Sequence, residues 1–283
     1  MIKMIVTDID GTLINDEGFI SPATKRALIT VQELGVRLVI ATGRSPQYIG
    51  KEYEQLEMER FPQDYIIALN GQEIHELSTR RVHCGPRIPA DKLPGILRLA
   101  CEYDLEALCY DGPRRFHYMP PDFLIKKARH LQKHPDLSPV DYESIQGENI
   151  PLPAFDAPVP TDISKVAFLH SAPRLCEVLP AVRQRIDKAL QVSLVKPTWM
   201  EIFPQGISKG GALSQIMSRT GISPDEVLAF GDGENDIDML TAVTYGFAMG
   251  NAFPAVKAAA FGETESNNRD GIGIVLREFF NLD

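Results

Sequence analysis

Two aspartates, Asp8 and Asp10, flank a single residue in the run Asp8-Ile9-Asp10-Gly11-Thr12-Leu13, directly after a short stretch that includes Ile2, Ile5 and Val6. An apolar, β-branched run that stops at an acid reads as a buried strand. Both carboxylates then project from one strand end, where α/β sheets place ligands. Close carboxylates repel unless they share a cation or a proton, and an all-oxygen donor set suits Mg2+. Gly11 permits the tight turn that exposes backbone amides to an anion. A second acidic group, Gly231-Asp232-Gly233-Glu234-Asn235-Asp236, follows the apolar run Val227 to Phe230. Asp232 is the natural third metal ligand, while Asn235 and Asp236 could orient a water, a lysine or a phosphate oxygen.

Two more positions suit an anion. Thr42, followed by Gly43, closes the apolar run Arg37 to Ala41 and offers a hydroxyl together with neighbouring amides. Lys209 opens a stretch with Leu213, Ile216 and Met217 at helical spacing. A helix N-terminus there would add its partial positive charge to the ammonium.

These residues need a frame, and the chain supplies one. Ser21-Pro22 has the form of a helix N-cap and first turn, and Ala27, Leu28, Val31 and Leu34 recur at helical spacing before Gly35. Tyr65 to Leu69 ends in Asn70-Gly71, and Tyr245 to Met249 ends in Gly250-Asn251, each an apolar run closed by a turn signal. Strands alternating with helices predict an α/β fold with a doubly wound, mostly parallel sheet.

Between about Val82 and Val195 the texture changes, with Pro151, Pro153, Pro158 and Pro160 marking a dense stretch. The reading is a core formed by 1–81 and 196–283, interrupted by an inserted α+β domain over 82–195. Its expected strands are Leu105 to Tyr110 and Val166 to Leu169; its expected helices are Lys92 to Tyr103, Asp122 to Leu131 and Leu175 to Leu190.

A chain of 283 residues is long enough for two domains. Lys and Arg number 29 against 38 Asp and Glu, a net charge of −9 that argues against nucleic acid or an anionic membrane as partner. The cysteines Cys84, Cys101, Cys109 and Cys176 form no CxxC pair, which points to reduced thiols and a cytoplasmic protein. The N-terminal MIKMIVTDIDG is neither a signal peptide nor a membrane span.

The order DxDGT, strand-end threonine, helix-start lysine and GDxxND resembles the haloacid dehalogenase superfamily of phosphatases, and within it the Cof-type branch with a large inserted cap. The resemblance extends to Asn15, Ile20-Ser21, Ala41-Thr42-Gly43-Arg44, Asn70-Gly71, Glu201-Ile202 with Pro204 and Gly206, Met249-Gly250-Asn251-Ala252, and Thr264 with Asn267 and Asp270-Gly271. It implies a Rossmann-like core and a role for each motif residue. Asp8 would be the nucleophile that forms an aspartyl-phosphate, and Asp10 the acid and then the base. Thr42, Gly43, Lys209 and Asn235 would hold the phosphoryl group; Asp8, the Asp10 backbone carbonyl and Asp232 would bind Mg2+, with Gly11 and Asp236 in support. Arg269 stands where the family commonly has an acid.

The expected activity is hydrolysis of small organic phosphate monoesters, sugar phosphates or phosphorylated cofactors, with the cap closing over the leaving group. Two other readings share an aspartyl-phosphate: a phosphomutase, which returns the phosphoryl group to its substrate, and a phospho-acceptor signalling module. The Asp10-Gly11-Thr12 sequel and the cap-sized insertion speak against the latter. A catalytically dead relative finds no support, because every motif position is filled.

Overall fold

A computed structural model describes residues 1–112, 114–120 and 148–282. The helix expected over Asp122 to Leu131 lies outside the described residues. The chain forms two compact units, one of Met1–Gly85 with Gly206–Asp283 and the other of Pro86–Gln205.

In chain order the strands are β1 (Met4–Thr7), β2 (Arg37–Ala41), β3 (Tyr65–Ala68), β4 (Glu73–Glu76), β5 (Arg81–Cys84), β6 (Glu106–Asp111), β7 (Arg114–Tyr118), β8 (Glu148–Leu152), β9 (Lys165–Leu169), β10 (Leu190–Lys196), β11 (Trp199–Pro204), β12 (Val227–Gly231), β13 (Tyr245–Ala248) and β14 (Gly262–Glu263). The helices used below are α1 (Pro22–Glu33), α2 (Gly50–Gln55), α3 (Leu93–Glu102), α4 (Ala172–Arg185), α5 (Lys209–Thr220), α6 (Ile237–Thr241), α7 (Pro254–Ala259) and α8 (Gly271–Phe280).

In the first unit the sheet order is β14-β13-β12-β1-β2-β3-β4-β5. The pairings from β14 through to β3 are parallel, and β4 and β5 add antiparallel edge strands. Parallel strands buried on both faces read as unbroken apolar runs, as β1 and β12 do, with every residue buried. Helices pack in two pairs, α1 with α8 and α5 with α6, and one continuous hydrophobic cluster fills the unit. This is the doubly wound α/β core that the alternation of strands and helices predicts.

Two caps fix the helices that matter for the site. Ser21 accepts a hydrogen bond from the Thr24 amide and starts α1; Ser208 accepts from the Gly211 amide at 3.0 Å and starts α5, so that Lys209 is its first residue.

The second unit carries a six-stranded sheet, β10-β11-β9-β6-β7-β8, antiparallel except where β7 meets β8. Its core cluster joins residues of α3 and α4, among them Leu97 and Val178, to alternate residues of the strands, such as Ala107 and Phe168. The units divide at Gly85/Pro86 and Gln205/Gly206, whereas the sequence suggested 81/82 and 195/196. The β4–β5 hairpin continues the first sheet through β3, and the β10–β11 hairpin completes the second through β9. Glu201 and Ile202 therefore belong to the second unit. Helix α4 ends at Arg185, short of the expected Leu190, because Ile186 is extended and the Asp187 carboxylate accepts from the Ala189 amide, which turns the chain into β10.

A buried acid ties β2 to β3. Asp64 is fully buried, and its Oδ1 accepts from the Leu38 amide at 2.8 Å. Burial pushes its carboxyl up to about 7, against the lowering pull of that bond and of Arg37. The folded state thus holds a proton that the unfolded state, near pH 4, has released, so this group's contribution to stability falls as pH rises from about 4 to about 7. Asp64→Asn keeps the acceptor and removes the titration. Its midpoint of thermal unfolding is expected to gain on the wild type as pH rises from 5 to 8, by the equivalent of roughly 1–3 kcal/mol; a difference between the two proteins that does not change with pH would refute this.

Candidate functional site

The register of the core sheet sets the site. Thr7 lies level with Ile40 on one side and Phe230 on the other, so Asp8, Ala41-Thr42 and Gly231-Asp232 leave the sheet together at the same strand ends. The Asp8 amide extends the ladder by donating to the Phe230 carbonyl at 3.1 Å.

Lys209, only 1% exposed, points its ammonium between two acids. Its Nζ donates to Asp8 Oδ1 at 2.7 Å and to Asp236 Oδ1 at 2.6 Å. Asp236 is fully buried, and its other oxygen accepts from the amides of Asp232 and Gly233 at 3.0 and 2.9 Å. Asp236 is thus committed to holding the lysine and shaping its own loop. Burial alone would lower the lysine's pKa, but the two carboxylates outweigh it and hold the ammonium charged. Burial pushes the Asp8 carboxyl well above its usual range; Lys209 opposes this, while Asp236, Asp232 and Asp10 add to it.

Asp232 accepts on Oδ1 from the Thr12 hydroxyl at 2.7 Å. Burial raises its carboxyl to about 6, the Thr12 bond opposing and Asp236 reinforcing the shift. Gly11 is a glycine for two reasons. Its φ is +78°, and a Cβ there would lie 2.4 Å from Asp232 Oδ2. The turn is braced from the C-terminal part of the chain: Asn251 Nδ2 donates to the Gly11 carbonyl at 2.7 Å, and Asn267 Nδ2 donates to the Ile14 carbonyl at 3.0 Å. Neither asparagine received a role from the sequence. The loop around Arg269 is therefore a brace, with Asp270 Oδ1 accepting from the hydroxyls of Ser21 and Thr24.

The Asp10 side chain is held elsewhere. Arg44 grips it as a fork, Nη2 donating to Oδ1 at 2.7 Å and Nε to Oδ2 at 2.9 Å. The same guanidinium donates through Nη1 to buried Glu52 and to the Tyr48 carbonyl, both at 3.2 Å. A bidentate Arg–carboxylate pair fixes orientation as well as charge. The sequence singled out Arg44 only as part of the Thr42-Gly43-Arg44 run.

Thr42 is fully buried, and its Oγ1 accepts from the Arg44 amide at 3.1 Å, which keeps its O–H as a donor. Asn235 donates from Nδ2 to Asn70 Oδ1 at 2.9 Å, and a Cβ on Gly43 would meet the Asn70 amide at 3.1–3.3 Å. The residues named from the sequence thus fall into three neighbouring groups: Asp8, Asp232, Asp236 and Lys209; Asp10 with Arg44; and Thr42, Gly43 and Asn235 joined through Asn70.

Asp8, Asp232 and Asp236 can present oxygens within 4.8 Å of one another. The donor set is hard oxygen throughout, and three carboxylates stand against one ammonium, that of Lys209, which bonds to Asp8 and Asp236, so the cluster carries excess negative charge. A divalent cation such as Mg2+ fits it. With both Asp236 oxygens already accepting, Asp8 and Asp232 are the side chains that could hold a cation, and the Asp10 carboxylate, turned to Arg44, is not in the cluster.

Removing one member of a buried ion pair leaves its partner uncompensated. Asp236→Asn places an amide N–H against either Lys209 or the amides of Asp232 and Gly233, and no rotation relieves both. Stability is expected to fall by about 3–5 kcal/mol, read as a lower denaturant midpoint at unchanged slope.

The sequence also has relatives. It is 26% identical over 290 residues to the Bacillus subtilis 5-amino-6-(5-phospho-D-ribitylamino)uracil phosphatase YitU, covering 99% of this chain and 98% of that one. It is 28% identical over 276 residues to the Escherichia coli pyridoxal phosphate phosphatase YbhA, covering 95% and 96%. The crystal structure of a haloacid dehalogenase-like hydrolase from Bacteroides thetaiotaomicron, 30% identical, superposes with a TM-score of 0.78 over 99% of this chain and 100% of its own. The haloacid dehalogenase-like hydrolase family model matches residues 5–276, nearly the whole length, so that motifs, fold and relatives agree: this chain belongs to the haloacid dehalogenase-like hydrolases.

Proposed function

We propose that this chain is a Mg2+-dependent phosphatase that hydrolyses small organic phosphate monoesters through an aspartyl-phosphate on Asp8. The observation that carries the reading is the state of the Asp8 carboxylate. Lys209 fixes Oδ1, while among the described residues no hydrogen bond is donated to Oδ2. One oxygen is oriented and the other is left for attack.

In the first half-reaction an Asp8 oxygen attacks phosphorus, the bond to the leaving oxygen breaks, and that oxygen takes a proton from Asp10. In the second, Asp10 accepts a proton from water, the water oxygen attacks phosphorus, and the Asp8 carboxylate is restored with release of inorganic phosphate. The Arg44 fork orients the Asp10 carboxylate; for the acid step one carboxylate oxygen must leave the guanidinium to carry the proton. The Thr42 hydroxyl, Gly43, Lys209 and Asn235 hold the phosphoryl oxygens; in phosphoryl transfer the protein mainly positions groups and offsets charge. Held by Asp8, the Asp10 backbone carbonyl and Asp232, Mg2+ would neutralise charge on the phosphoryl oxygens. Covalent catalysis divides one very slow step into two easier ones.

The substrate class, sugar phosphates or phosphorylated cofactors, is supported by the relatives, one named for a phosphoribitylamino-uracil and one for pyridoxal phosphate. A cytoplasmic setting accords with four cysteines, Cys84, Cys101, Cys109 and Cys176, that form no disulfide. Among the described residues no helix is long and apolar enough to cross a membrane.

The test is release of inorganic phosphate from sugar, nucleotide and cofactor phosphates with and without Mg2+. Asp8→Asn is expected to lower turnover by roughly 10^4-fold or more, and appreciable activity in that variant removes Asp8 as nucleophile. Asp10→Asn is expected to slow sugar phosphates by about 10^2–10^4-fold and p-nitrophenyl phosphate, whose leaving group needs no proton, by less. Equal losses on both substrates would deny Asp10 the acid role. Transfer of the phosphoryl group between positions of one substrate, with none released, would identify a phosphomutase instead.

A further inference from the structure

Just past β3 the chain runs through three successive residues at positive φ: Leu69 at 51°, Asn70 at 56° and Gly71 at 101°. Leu69 and Asn70 are each only 3% exposed. Asparagine tolerates the left-handed region, whereas leucine is strained there. Strain kept in a buried turn signals a constraint imposed from outside the turn.

The constraint is visible in what the turn touches. The Thr42 amide donates to the Ile67 carbonyl, the Asn70 amide to the Thr42 carbonyl and the Leu69 amide to the Arg44 carbonyl, at 2.8, 2.9 and 3.0 Å. The loop bearing Thr42 and Gly43 is thus laced to it along its backbone. On its other side a Cβ on Gly71 would lie 2.2 Å from the carbonyl oxygen of Ser208, the cap that starts α5 at Lys209. The Asn70 side chain makes the third connection, lying against Gly43 and accepting from Asn235.

We propose that Asn70 is a positioning residue of the phosphoryl site: its amide sets the spacing between the Thr42-Gly43 loop and Asn235, so that both meet the same phosphoryl group. The proposal rests on the phosphatase reading. An amide nitrogen carries two hydrogens; Asn235 spends one on Asn70, which fixes the direction of the other. Without that partner the Asn235 side chain must be ordered when the anion binds, and the affinity falls accordingly.

Glycine at position 70 separates backbone from side chain, because it adopts the left-handed turn freely and lacks only the amide. For wild type, Asn70→Gly, Asn235→Ala and the double variant, the readouts are the thermal unfolding midpoint, the dissociation constant of inorganic phosphate by calorimetry in the presence of Mg2+, and kcat and KM for p-nitrophenyl phosphate. Asn70→Gly is expected to fold as stably as wild type, to bind phosphate about tenfold more weakly and to raise KM more than it lowers kcat. The double variant is expected to bind no more weakly than Asn235→Ala alone, since Asn70 acts through Asn235. Wild-type phosphate affinity in Asn70→Gly, or losses that multiply in the double variant, would overturn the proposal while leaving the phosphatase reading intact. A wild-type protein that neither binds nor releases phosphate overturns both. Should glycine loosen the turn, Asn235→Ala decides alone, because it leaves the turn untouched: wild-type phosphate affinity in that variant equally overturns the proposal.

Discussion

The ammonium of Lys209, sealed from water, is the interaction on which the rest of this molecule turns. A lone buried charge is prohibitively unfavourable, so the lysine requires its acids and they require it. Asp8 arrives from the end of β1, Asp236 from the loop after β12, and the lysine from the first turn of α5. Three remote stretches of sequence are thereby pinned to one nitrogen atom. The same arrangement leaves excess negative charge at the site, because the cluster holds three carboxylates and the single ammonium bonds to two of them. That imbalance is what a divalent cation would resolve, so cation affinity and local instability share one origin.

Around that centre the structure spends polar side chains on backbone geometry. Asn251 and Asn267 hold the Gly11 turn, Asp236 shapes the loop that bears Asp232, and Glu52 steadies the arginine that holds Asp10. The acids of the site are consequently oriented mostly by side chains that stand outside the cluster. Such support gives a site built on loops the precision that strands and helices provide elsewhere.

The sequence exposed the parts of this design that repeat or cluster. Strands β1, β2, β3 and β12 were legible because double-sided burial leaves an unbroken apolar run, and β13, whose residues alternate between half-buried and buried, because its run is apolar too. The acids and the lysine were legible because several reactive residue types rarely fall by chance, in fixed order, at successive strand ends and helix starts. Strands β4 and β5 were missed because their residues are half-exposed and mix Glu, His and Arg with Ile and Val. The β10–β11 hairpin was divided because Glu201-Ile202 was read together with the motifs of the core. The Arg44–Asp10 fork and the asparagine braces left no pattern at all: Asn251 reaches Gly11 across 240 residues, and a side chain bonding to a distant carbonyl has no period to detect.

Gly85 and Gly206 mark where the chain leaves and re-enters the first unit, and the two crossings lie side by side. A Cβ on Gly85 would fall 2.5 Å from the tip of Ile207, so the first unit presents the two ends of the 120-residue insertion close together. Because closing a loop at fixed ends depends only weakly on its length, the core sheet can tolerate inserts of very different size and architecture at this point. An insert can therefore be exchanged here as a cassette without disturbing the lysine, its acids or their braces.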